Sequence, residues 1–148
     1  MLLFLHGPHQ HLPEFYPPHR GRFYFYGSVF GTTPTGLMRF GMVPAQDGAP
    51  PMSEADRHLL VHIELEILGG HVLMGTDAPE SMGFKLNFGN NAHLNLEPDT
   101  LEDARRLFAA LSDGGEVNMP LSPMFWGGVF GSLTDKFGVG WMINCAAS

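Results

Sequence analysis

NMPLSPMFWGGVFGSLTDKFGVGWMINC, residues 118–145, is the stretch whose reading decides the fold. It is long, apolar and punctuated by glycine, and it holds both tryptophans, Trp126 and Trp141. Asp135-Lys136-Phe137-Gly138 reads as a tight turn inside it. Short apolar runs at 128–133 and 139–145 read as strands on either side, and 116–119 as a strand before them.

Working back toward the N-terminus, residues 100–111 carry a helix pattern. Leu101, Ala104, Leu107, Phe108 and Leu111 form one apolar stripe. Thr100 and Asp103 make a capping-box-like start, Glu102 and Arg106 stand i,i+4, and Gly114-Gly115 ends the run. A strand at 91–96 precedes this helix. The second half of the chain therefore reads strand, helix, strand, strand, strand.

Residues 61–77, VHIELEILGGHVLMGTD, read as a hairpin joined by Gly69-Gly70. A two-residue turn puts Leu65 opposite Met74 and His62 opposite Asp77. Val61, Ile63, Leu65, Ile67, Val72 and Met74 then share the apolar face, with His62, Glu64, Glu66, His71 and Asp77 on the other and Leu68 and Leu73 among them. His62 is expected to bond Asp77 across the strands. A short strand is expected at 36–42, a loop at 43–53 and a longer loop at 78–90. The halves read as two copies of one unit, inferred from element order, with the opening strand and helix of the first copy illegible.

Residues 1–22 differ from the rest. They hold four of the eight histidines (His6, His9, His11, His19) and the Pro17-Pro18 pair, which interrupts a helix. They read as a poorly structured terminus, with a histidine-rich metal tract as the alternative. The aromatic run at 23–30 is dense enough to dock on a core.

Composition narrows the partners. A formal charge of -7 with only eight Lys and Arg argues against a nucleic-acid backbone, which needs clustered cations. One cysteine, Cys145, excludes an internal disulfide and fits a reducing compartment. No run approaches the roughly 18 apolar residues of a membrane span. The chain is expected to be a cytoplasmic, single-domain protein over 1–148, with half-modules at 1–80 and 81–148.

Nucleophile and phosphate-cradle motifs are absent. His62 and His71 lie near opposite ends of the hairpin, too far apart to share an ion with bonds of about 2 Å. His93 has two readings, a ligand or a partly buried strand histidine. Phe125-Trp126 likewise reads as the wall of a small-molecule pocket, with Gly127-Gly128 admitting a ligand to the backbone, or as core packing.

FYGSVFG (25–31), GLMRFG (36–41), ILGGHVLMGTDAP (67–79), LEDARRLFAALSDGGEV (101–117) and FWGGVFGSLTDKFGVGWMINC (125–145) together resemble the PhnB-like branch of the glyoxalase/bleomycin-resistance, or vicinal-oxygen-chelate, superfamily. The resemblance spans 23–145. It implies an α+β fold of paired βαβββ modules forming a cupped mixed sheet, usually as a homodimer. In metal-dependent relatives four side chains from the first and last strands of the two modules hold a divalent ion. By motif alignment His93 falls on one such position. Met74 and Met142 fall where the last strands usually offer Glu, and the fourth position is not identifiable. Thioethers are poor ligands for hard or borderline cations. The expectation is a protein that binds an unknown small molecule in the cup through Met74, His93, Phe125, Trp126 and Met142, with no complete metal site. The alternative is a metal-dependent lyase, isomerase or dioxygenase with His93 as ligand. Residues 1–22 do not match the family's opening strand and helix. No S-adenosylmethionine loop is present, so a methyltransferase is not implied.

Overall fold

The computed structural model describes residues 3–4, 18–45, 48, 51–87 and 89–146. The chain divides into two compact units, 1–87 and 88–148, each an α+β assembly with its own four-stranded mixed sheet.

Unit 1 runs β1 (Leu3–Phe4), α1 (Pro18–Phe30), β2 (Thr35–Arg39), a short α2 (Glu54–Arg57), β3 (Leu60–Glu66) and β4 (Val72–Gly75). Its sheet order is β1-β4-β3-β2. Unit 2 runs β5 (Leu94–Leu96), α3 (Leu101–Ser112), β6 (Glu116–Pro123), β7 (Gly128–Thr134) and β8 (Gly140–Ala146), in the order β5-β8-β7-β6. In each sheet the first and last strands run parallel and the other neighbours antiparallel. A parallel pair needs a long connection, which in each unit is the helix together with the two strands that follow it. The strand and helix missing from the first-half sequence pattern are thus present. The helix starts at Pro18, a residue suited to a first helical position because its missing N–H has no partner there anyway.

The repeat is exact in register. A constant shift of 68 carries Ile63↔Gly75, Glu64↔Met74 and Leu65↔Leu73 onto Gly131↔Ile143, Ser132↔Met142 and Leu133↔Trp141. A shift of 84 carries Thr35 and Met38 of β2 onto Met119 and Ser122 of β6, with the same irregularity between them.

This register corrects the expected hairpin. The strands are joined by three residues, Leu68–Gly70, and Ile67 N donates to His71 O at 2.7 Å. Gly69 and Gly70 both take positive φ, +69° and +75°. Leu65 therefore faces Leu73, and Glu64 faces Met74. Because side chains alternate with period two, this one-residue difference turns β4 over. Leu73 and Gly75 join Ile63 and Leu65 in the core, while Met74 moves to the face of His62 and Glu64. His62 consequently bonds Glu64, not Asp77. Asp77 is buried, and its Oδ2 accepts from Leu60 N at 2.6 Å.

Each sheet buries one face under its helix. In unit 1 α1 packs on β3, burying Phe23, Tyr26 and Val29 at a spacing that follows one helix face. In unit 2 α3 lies on β6, β7 and β8, and Ala104, Leu107 and Leu111 are fully buried. Thr100 caps α3 as expected, accepting from Asp103 N at 3.1 Å. Arg106 reaches Asp103 at 3.2 Å. This i,i+3 contact joins the arginine to the residue the cap already holds.

Candidate functional site

The face of each sheet away from its helix is where the sequence-derived site residues fall. In unit 2 that face follows from the pairing. Trp141, Ile143 and Cys145 of β8 are buried, so Met142 and Asn144 between them point the other way. Their partners Ser132 and Phe130 on β7, and Asn95 on β5, share this open face. Met119 of β6 lies beside Ser132.

His93 sits one residue ahead of β5, which begins at Leu94, not at 91 as expected, and it is exposed. Its place is set by Gly140. A Cβ added there would lie 2.5 Å from His93 Cδ2 and 2.8 Å from Nε2, so the ring lies against the start of β8 in space only glycine leaves. Register continuation puts it on the face of Met142, one row away.

At the far end of this face stands an aromatic edge. Trp126 makes T-shaped contacts with Phe125 (centroids 4.8 Å) and Phe130 (6.4 Å). Phe125 is 97% and Trp126 54% exposed, which excludes the core-packing alternative for both. The two glycines after them serve the backbone. Gly127 takes φ +88° in the turn, and a Cβ on Gly128 would meet Cys145 O at 2.5 Å. The bare face of Gly128 is thus filled by β8 and admits no ligand.

The other tryptophan is structural. Trp141 is fully buried, and its Nε1 donates to Asp135 Oδ2 at 2.8 Å. Asp135 Oδ1 accepts from Phe137 N (2.8 Å) and Val139 N (3.0 Å). One buried carboxylate thereby closes the β7–β8 turn and anchors the largest core side chain of the unit.

In unit 1 Met74 occupies the position equivalent to Met142. Its open face carries His62 and Glu64, with Nε2 and Oε1 2.8 Å apart. The expected two-residue turn separates this pair from Met74; the three-residue connection Leu68–Gly70 brings them onto one face.

A divalent ion of the type held by metal-dependent relatives does not fit these residues. Among the described residues no three of His, Cys, Asp and Glu come together to hold one. The two last-strand positions are both thioethers, and the place on β1 equivalent to His93 falls outside the described residues.

Two sheets, each with strand order first-fourth-third-second and a crossover helix, define a paired βαβββ protein. The glyoxalase/bleomycin resistance protein/dioxygenase superfamily matches over residues 23–143, and the chain belongs to it. Protein YjdN from Escherichia coli (strain K12) is 30% identical over 125 residues, covering 81% of this chain and 82% of that protein. The crystal structure of protein PA1353 from Pseudomonas aeruginosa is 32% identical with a TM-score of 0.72, covering 88% and 91% of the two chains. The PhnB protein from Bacillus cereus shares the fold at 20% identity, with a TM-score of 0.67 and coverage of 97% and 96%. Among the described residues no helix is long and apolar enough to cross a membrane.

Proposed function

We propose that this protein binds a small, planar, uncharged molecule on the open face of unit 2, without a divalent-metal centre. The observation that carries this reading is the make-up of that face. Exposed Trp126 against half-buried Phe130 gives an aromatic edge, and Asn144, Ser132 and Asn95 supply neutral donors and acceptors between it and His93. Exposed aromatic area with a few placed polar groups suits recognition of an aromatic or conjugated ligand. Phe125 extends the edge, Met142 supplies an adaptable apolar floor, and Met74 offers the corresponding surface in unit 1. The protein works in the cytoplasm as a homodimer, with neither nucleic acid nor membrane as partner. The exposed outer strand β6 is a sheet edge that a second chain could cover.

Trp126 is also the reporter, because Trp141 is shielded. Titration with N-phenyl-1-naphthylamine, a neutral aromatic probe, is expected to quench Trp126 saturably, with binding weakened about tenfold in Asn144→Ala. Non-saturable quenching, or equal binding by Asn144→Ala and Ser132→Ala, would count against the site. Metal content after mild purification tests the enzyme alternative. Stoichiometric divalent metal that disappears in His93→Ala would replace this reading with a metal-dependent lyase, isomerase or dioxygenase.

A further inference from the structure

The open face of unit 1 carries a ligand set that the reading above does not use. Met38 of β2 pairs with His62, at an irregularity of the ladder, and Met74 of β4 pairs with Glu64, two residues along the same strand. His62 in the middle strand therefore has a methionine on each neighbouring strand. Direct cross-strand partners lie about 5 Å apart and diagonal ones about 7–8 Å, within reach of long side chains. Methionine, unbranched with three rotatable bonds, spans such gaps readily.

The imidazole between them is already oriented. Its Nε2 lies 2.8 Å from Glu64 Oε1, which leaves Nδ1 as the ring nitrogen able to ligate. A carboxylate holding the far nitrogen of a ligating histidine is the usual supporting contact in metal sites. The set is accessible: Met38 is 46% exposed, and the His62 side chain 37%.

Ligand chemistry selects the ion. The two thioethers are soft donors, and imidazole is a borderline one that also binds copper. Mg and Ca require oxygen, and zinc sites are built from thiolate, imidazole and carboxylate. Thioether and imidazole together suit Cu(I). We infer that Met38, His62 and Met74 form a three-coordinate site for Cu(I), with Glu64 as the positioning residue for His62. This goes beyond the proposed function and does not depend on the aromatic edge of unit 2. Unit 2 is a partial control: the positions equivalent to Met38 and His62 are Ser122 and Phe130, so the middle strand offers Met142 no imidazole, and His93 lies on its other side, just ahead of β5.

The test uses the full chain with His6, His9, His11 and His19 changed to Gln, which removes the imidazoles of the N-terminal tract. Cu(I) is titrated anaerobically against the chelator bicinchoninate. One Cu(I) per chain is expected, with sulfur scatterers in its X-ray absorption spectrum. Met74→Leu, Met38→Leu and His62→Asn are expected to weaken binding by more than about tenfold, and Glu64→Gln by about 10–100-fold. Met142→Leu should bind as the parent does. The Leu changes nearly conserve volume, and circular dichroism checks that each variant is folded. Absence of stoichiometric Cu(I), equal binding by the Met38, His62 and Met74 variants, or equal weakening by Met142→Leu would overturn the site.

Discussion

The two units share one register but solve the same packing problem from opposite strands. In unit 1 Ile63 pairs with Gly75, and the ring of Phe23 from α1 lies over the glycine, where an added Cβ would come within 2.6 Å of it. In unit 2 Gly131 pairs with Ile143, and Phe108 of α3 lies over Gly131, 2.7 Å from the equivalent point. One glycine, one isoleucine and one phenylalanine fill the space between helix and sheet each time, with glycine and isoleucine exchanged. Packing demands a conserved total volume, and it leaves open which strand supplies which part. That is why the halves keep the same architecture with little direct sequence identity.

Their hairpin turns differ in another way. Residues 67–71 and 135–139 are equivalent, and both close with the same backbone bond, Ile67 N to His71 O and Asp135 N to Val139 O. Only unit 2 places a carboxylate there. Removing it should have the largest effect. Asp135→Ala leaves the buried Trp141 Nε1 and two turn amides without that acceptor and is expected to cost about 3–4 kcal/mol. Urea denaturation giving less than about 1 kcal/mol would show that the clamp is not what separates the two turns.

Exchange of the glycines sharpens the packing comparison. At Gly131 a Cβ meets the Leu121 backbone at 2.9 and 3.0 Å as well as Phe108, whereas at Gly75 it meets mainly the Phe23 ring and Ile63 Cγ2. Backbone cannot rotate aside, so Gly131→Ala is expected to cost about 3 kcal/mol and Gly75→Ala about 1–2 kcal/mol. The reverse order of midpoints in matched denaturation curves would break the comparison. Thr100→Ala removes the cap of α3 and should cost about 1 kcal/mol, read as lost helical ellipticity and a lower midpoint. The smallest test asks whether the turns are alike apart from the carboxylate. Gly70 and Gly138 have φ of +75° and +81°, and neither has an atom within 4 Å of an added Cβ. Each change to Ala should cost about 1 kcal/mol, and a difference above about 0.5 kcal/mol would mean the turns are not equivalent.

Unit 2 was the legible half. Its helix shows a cap, a stripe and a glycine stop in one run, and its strands flank an Asp-Lys-Phe-Gly turn whose chemistry is local. α1 was hidden because Phe23, Tyr26 and Val29 stand among other aromatics and two glycines, which blur the stripe that α3 displays. The hairpin of unit 1 was recognisable in kind but misregistered. Gly69-Gly70 satisfies a two-residue turn as readily as a three-residue one, and periodicity cannot choose between them. Of the site residues, Met142 was placed on a last-strand position by resemblance, while Trp126 was read from its local sequence as either pocket wall or core packing. His62 and Glu64, two apart on one strand, share a face in either register; only the neighbourhood of Met74 depended on the turn length.

The amino-acid sequence alone determined the family, the order of elements in the second unit and the thioethers at both last-strand positions, because these follow from residue identity and local pattern. Tertiary structure decided which face each residue occupies. A strand's two faces differ by a single residue of register, and that residue is settled by the closing hydrogen bond of a turn and by which side chains the helix covers. Met74 beside Glu64 and on the face of His62, His93 lying in the space over Gly140, and Asp135 reaching Trp141 are all products of that choice.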